Sequence, residues 1–87
     1  MKLAIVILNY NGKKHLETYI DSVIRHSNGY DLIVIDNGSQ DDSVKYIEDR
    51  HELILVQNMK NHGFAGGYNE ALSKLKDRYD YYILLNS

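Results

Sequence analysis

Four short apolar runs, with helix-spaced stripes between them, constrain the fold of this chain more than any other feature. Leu3-Ala4-Ile5-Val6-Ile7-Leu8 is continuous, apolar and rich in β-branched residues. Leu32-Ile33-Val34-Ile35, Leu53-Ile54-Leu55-Val56 and Tyr81 to Leu85 follow it. Runs of this length without polar alternation suit strands buried on both faces. After the first run, Leu16, Tyr19, Ile20, Val23 and Ile24 recur at spacings of three and four, the mark of one helix face, and Ser27-Asn28-Gly29 ends that helix. After the second, Ser39 with Asp42 three residues on predicts a capping arrangement and a short helix through Val44 and Ile47. After the third comes a loop over Asn58 to Gly63, then a stripe of Ala65, Tyr68, Ala71, Leu72 and Leu75. The order β-α-β-α-β-α-β with short connections predicts a three-layer, Rossmann-like α/β fold with parallel strands and right-handed crossovers. Residues 1–87 make one domain with no internal repeat, linker or low-complexity stretch.

The polar residues are placed asymmetrically. Asn9, Tyr10 and Asn11 follow the first strand; Asp36, Asn37, Ser39, Asp41 and Asp42 follow the second. Asn58, Asn61 and His62 follow the third, and Asn86 and Ser87 the fourth. In an open parallel sheet these segments share the carboxyl edge, where ligands bind at the switch in strand order. The sequence therefore assembles a polar crevice from separate loops, although Asn, Asp, Ser and Gly are also what βα turns and caps require.

Composition narrows the partners. Ten Lys+Arg against 12 Asp+Glu give a net charge of −2, and Lys13-Lys14 is the only adjacent basic pair, so nucleic acid is not an expected partner. The absence of cysteine excludes disulfides and thiolate metal sites. No apolar run is long enough to span a bilayer, and Met1-Lys2-Leu3 leads straight into a strand without a cleavage site, so the expectation is a soluble, cytoplasmic chain. His15, His26, His51 and His62 show no ligand spacing, which speaks against zinc. Asp41-Asp42 are read as first-turn carboxylates favouring a helix dipole.

The first βα turn, Asn9-Tyr10-Asn11-Gly12-Lys13-Lys14-His15, is not the G-x-G-x-x-G of dinucleotide folds. Gly63-Phe64-Ala65-Gly66-Gly67-Tyr68-Asn69 is glycine-rich but carries no Gly-Lys-Ser/Thr. Its glycines allow backbone to approach a ligand, or equally a tight helix-packing contact at Gly66 and Gly67. Asp36 can accept from a ribose hydroxyl or a base N–H, with Asn37 beside it offering donor and acceptor; the plainer reading of Asp36 is an Asx turn or cap. Tyr10 can stack on a base or plug a half-buried site.

Ile5 to Gly12, Val34 to Ser43, Asn61 to Asn69 and Leu84-Leu85-Asn86-Ser87 together resemble four successive blocks of the family-2 glycosyltransferases, in that family's order and spacing. The resemblance covers essentially the whole chain. It implies the nucleotide-binding, N-terminal part of a GT-A fold, a partial domain over 1–87. The donor-binding residues it implies are Leu8, Asn9, Tyr10, Asn11, Asp36, Asn37, Ser39, Gly63, Phe64, Ala65, Gly66, Asn69 and Asn86, with Tyr10 flanking the base and Asp36 and Asn37 on base or ribose. It implies a UDP- or dTDP-sugar donor, a saccharide or lipid-linked acceptor, transfer with inversion, and a divalent metal (Mg or Mn). Many members have a second acid where this chain has Asn37, and the Asp-Asn-Gly-Ser form is similar to the rhamnosyltransferase-like branch. In the family an Asp-x-Asp-type metal motif begins just after a block like Leu84 to Ser87, and the general base comes later. The resemblance therefore implies that residues 1–87 hold no metal by themselves and transfer no sugar alone.

Two other classes fit the residues: a non-catalytic nucleotide-binding module, and a receiver-like signalling domain. The second needs acids after the first strand, where Asn9 and Asn11 stand. A strand order of 3-2-1-4 would put Tyr81 to Leu85 at an edge apolar on both faces, which predicts self-association.

Overall fold

The computed structural model describes residues 2–27, 29–58, 63–75 and 78–85, with backbone alone at 64 and 65. The elements run β1 (Leu3–Asn9), α1 (Lys13–His26), β2 (Asp31–Asp36), α2 (Ser43–Glu48), β3 (Leu53–Gln57), α3 (Gly63–Lys74) and β4 (Tyr81–Leu85). The sheet is parallel throughout, in the order β3-β2-β1-β4. This is the Rossmann-like α/β arrangement that the apolar runs predict.

Alternate residues of each strand point to opposite faces, which divides the core in two. On one face Ile5, Ile7, Leu32, Val34 and Leu53 lie beneath Leu16 and Ile20 of α1 and Ile47 of α2. On the other, Ala4, Val6, Ile33 and Ile35 meet Tyr68 and Ala71 of α3 and Leu75 just after it. The split follows from connection handedness. The chain steps from β1 to β2 to β3 in one direction, then returns past β1 to β4, so right-handed crossovers put α1 and α2 on one face and α3 on the other. Each buried Ile or Leu contributes about 1.5–3 kcal/mol, and truncating Ile20, which α1 buries completely, would cost about 2–5 kcal/mol.

Two expectations are corrected at α2. Ser39 does not cap it: the helix begins at Ser43 behind an Asp42 N-cap without a side-chain cap bond, and Ser39 Oγ instead donates to Asp36 Oδ1 at 2.6 Å. A bond to an ionised carboxylate is stronger than one to a neutral backbone group. Asp41 and Asp42 accordingly lie ahead of the first turn of α2, not in it. In α1 only Leu16 and Ile20 of the predicted stripe are fully buried; Tyr19, Val23 and Ile24 pack at the margin of the cluster.

β4 forms an edge of the described sheet. Tyr81, Ile83 and Leu84 are 57, 44 and 47 % exposed there, while Tyr82 and Leu85 pack against the two cores.

Candidate functional site

The carboxyl ends of β1 and β2 lie in register, with Asn9 opposite Asp36. Both residues are buried, and Asp36 is only 2 % exposed. An unpartnered buried carboxylate is costly, so its hydrogen bonds govern this end of the sheet. Asp36 Oδ1 accepts from Asn9 Nδ2 at 3.1 Å and from Ser39 Oγ at 2.6 Å, while Oδ2 accepts from Ser39 N at 2.9 Å. The last bond joins the Asp36 side chain to the backbone N–H three residues on, the spacing of a cap and one residue longer than an Asx turn. Ser39 Oγ also accepts from Asn9 Nδ2 (3.3 Å) and Asn11 N (2.8 Å), using the hydroxyl's one donor and both lone pairs.

Gly12 begins α1 beside this network. A Cβ there would stand 2.6 Å from Asn9 Oδ1, a contact real Cβ atoms do not make. The glycine is therefore required by the asparagine three residues before it, at an ordinary φ of −109°.

A second set of bonds braces the β1–α1 turn against the β2–α2 turn. Asn11 takes a left-handed backbone (φ 50°), which asparagine tolerates better than most residues. Its Oδ1 accepts from Gln40 N at 2.7 Å and Asp41 N at 3.3 Å. In return, Asp41 Oδ2 accepts from Lys13 N at 3.2 Å and its Oδ1 from Ser43 N at 2.9 Å. One carboxylate thus serves the first residues of both α1 and α2. Desolvation pushes the Asp41 pKa up, but hydrogen bonds from Ser43 and Lys13 outweigh it and hold the carboxyl below its usual range.

Asn37 goes the other way. Its N–H donates to Asn9 O at 2.9 Å, and its buried amide faces α3: Nδ2 donates to Gly63 O at 3.2 Å and Oδ1 accepts from Asn58 Nδ2 at 3.0 Å. Asn58 Nδ2 also donates to Gly67 O at 3.1 Å, and Asn58 N to Asp36 O at 2.8 Å. A Cβ on Gly67 would lie 2.9 Å from Asn37 Nδ2. Of the two uses weighed for the glycine pair, Gly67 serves close packing.

The structure therefore brings Asn9, Asn11, Asp36 and Ser39 into one network, and Asn37 and Gly63 into a second. Tyr10 stands 48 % exposed immediately after β1. Leu8 is half-buried against the α3-side core, Gly66 is half-buried, and Asn69 is exposed on α3. Asn61, His62, Asn86, Ser87 and the side chains of Phe64 and Ala65 lie outside the described residues. Sequence reasoning placed Asn58 after the third strand without nominating it, and read Asp41 for its charge alone. The partners that give both residues their roles are remote in sequence.

A cleft of about 510 Å³ opens between Lys13, Lys14 and His15 on α1 and Asp41 and Asp42. Its volume is that of a ligand pocket, yet of the expected donor residues only Asn11 lines it. It meets the Asp36 network at Asn11.

The described residues do not fit a divalent-metal site. No three His, Asp or Glu side chains among them converge. Asp36 Oδ1 accepts from Asn9 and Ser39, and both Asp41 oxygens accept backbone N–H groups.

A family model described as Glycosyl transferase family 2 matches residues 4–87. No curated protein matches the chain.

Proposed function

Because the chain belongs to glycosyl transferase family 2, we propose that it provides the donor-nucleotide-binding part of a GT-A glycosyltransferase, similar to the rhamnosyltransferase-like branch. The donor is a UDP- or dTDP-sugar and the acceptor a saccharide or lipid-linked hydroxyl, as in polysaccharide assembly at the cytoplasmic face of a membrane. No helix among the described residues is long and apolar enough to cross a membrane.

The observation that carries the reading is the buried Asp36 carboxylate, held at the crevice edge by Asn9 and Ser39 with exposed Tyr10 alongside. Among the described residues, Oδ2 accepts one bond, from Ser39 N. A carboxylate oxygen has room for another donor, such as a pyrimidine N–H or a ribose hydroxyl. Tyr10 offers a π face on which a base stacks. The hydrogen bonds to Asp36 are made before any ligand arrives, so its orientation costs nothing at the moment of binding.

In the reaction, the acceptor hydroxyl gives its proton to a general base and its oxygen bonds to the anomeric carbon, while the bond to the nucleoside diphosphate breaks and the diphosphate leaves with the electron pair. Attack opposite the leaving group inverts that centre. This chain's part is to hold the nucleoside. We propose that the 87 residues alone transfer no sugar. We also propose that they self-associate through β4, whose outer edge pairs with no described strand.

Amide NMR titration with UDP and with dTDP, each with and without magnesium, tests the reading. Shifts centred on Tyr10, Asp36, Asn37 and residues 63–69 are expected, and the tighter ligand identifies the donor class. A well-dispersed spectrum that neither nucleotide perturbs contradicts it.

A further inference from the structure

The residue that family position puts on the base or ribose, Asn37, is turned into the protein. We propose that Asn37 is a positioning residue: with Asn58 it ties the first turn of α3 to the ends of β2 and β3, and it makes no contact with the donor. The inference rests on the donor-site reading for its functional consequence, and on geometry alone for the tie.

Three observations carry it. First, both ends of the Asn37 amide have protein partners on different elements, Gly63 O of α3 in a part-buried bond and Asn58 Nδ2 beyond β3 in a buried one. Second, Asn58 extends the tie by bonding Gly67 O one turn further along α3, while its own backbone N–H holds Asp36 O. Third, Gly67 leaves no space for a side chain: its Cβ would meet Nδ2, Cγ and Oδ1 of Asn37 at 2.9, 3.0 and 3.1 Å. Contact with all three amide atoms at once means the helix lies flat against this side chain. Gly67 takes no positive φ, so closeness to Asn37 and not backbone conformation explains a glycine there.

The chemical consequence is specific. An asparagine presents a donor to the Gly63 carbonyl and an acceptor to Asn58. An aspartate of the same shape keeps the acceptor but sets a carboxylate oxygen 3.2 Å from a carbonyl oxygen, a repulsion in a part-buried site. If Asn37 instead accepted the base N–H, Asn37→Asp would add charge to that bond and tighten pyrimidine binding.

Two measurements on the 87-residue chain test this. The first is a thermal-melting cycle over Asn37→Ala, Gly67→Ala and the double variant, which needs no nucleotide. The expected result is rescue: the double variant melts well above the sum of the two single depressions, because removing the amide vacates the space the new methyl needs. Depressions that add within about 3 °C, as for sites that do not touch, overturn the tie. Should Gly67→Ala fail to fold, recovery of a folded spectrum in the double variant is the expected result, and failure to recover it overturns the proposal.

The second is UDP and dTDP affinity of Asn37→Asp. Weakening of about fivefold or more, with lost stability, supports positioning; unchanged or tighter binding overturns it. If the unsubstituted chain binds neither nucleotide, the donor-site reading fails, and the tie is judged on the melting cycle alone.

Discussion

Asn9 and Asp36, the last residues of two neighbouring parallel strands, face each other in register and share a hydrogen bond of 3.1 Å between side chains. With Ser39 they make a buried carboxylate tolerable without a cation among the described partners. This arrangement fixes where the crevice begins and predicts how it fails.

Removing the amide donor costs more than the volume lost. Asn9→Ala is expected to destabilise the chain by about 1–3 kcal/mol, because the buried Asp36 carboxylate loses one of its side-chain donors and keeps only Ser39. Asn9→Asp, nearly the same shape, is expected to cost more still, since it replaces the donor with a second carboxylate. Urea denaturation at neutral pH measures both; equal stability of Asn9→Asp and the unsubstituted chain contradicts the network.

Asp41 couples the two helix starts through acid-sensitive bonds. Its carboxyl sits below the usual range, so it contributes stability above the unfolded value of about 3.9 and loses it as pH falls through its lowered folded value. Asp41→Ala is expected to cost roughly 1–2 kcal/mol, as for a lost N-cap. Acid titration of stability should show a shallower fall in Asp41→Asn than in the unsubstituted chain; identical profiles contradict the double capping.

At the opposite end of the sheet, Tyr79 Oη donates to Asp31 Oδ2 at 2.6 Å. Burial, then the bond to Asp31 and its charge, push the tyrosine up to about 12. A raised value favours the folded state below the unfolded pKa of about 10, and this contribution disappears as pH climbs from there through 12. Tyr79→Phe should flatten alkaline unfolding over that window without altering nucleotide affinity, because the residue lies at the amino edge. Loss of nucleotide binding in Tyr79→Phe contradicts the placement of the site.

The β4 edge predicts association. Tyr81, Ile83 and Leu84 expose apolar surface beside an edge with no described strand partner, and the strand has none of the charges or prolines that protect edges. Sedimentation should show mass rising with concentration, and Ile83→Lys should reduce it. A concentration-independent monomer contradicts the proposal.

What the sequence made legible was periodic. Continuous runs such as Leu3 to Leu8 and Leu32 to Ile35 become the inner strands because helices cover both their faces, and the stripe through Leu16 and Ile20 becomes the α1 contact. The order 3-2-1-4, entertained as a condition, is the order of the sheet. The direction of a side chain at a strand end did not follow. Asp36 and Asn37 are adjacent in sequence, yet one joins Asn9 and Ser39 while the other joins α3. Ser39 carries the spacing of a cap but finds a stronger acceptor in Asp36. Gly12 reads as a turn glycine and Gly67 as either a ligand-approach or a packing glycine, and neither reading names the asparagine side chain that lies against each of them. Such requirements arise only once distant loops meet.

The most direct test of nucleotide binding at this edge uses Tyr10, whose exposure lets it change without disturbing the core. Calorimetric titration of UDP and dTDP into the unsubstituted chain and Tyr10→Ala should show binding weakened about 5- to 100-fold in the variant, as for loss of one base–aromatic stack, with its melting temperature unchanged. Equal affinity in the two, or no binding to the unsubstituted chain, would contradict the account.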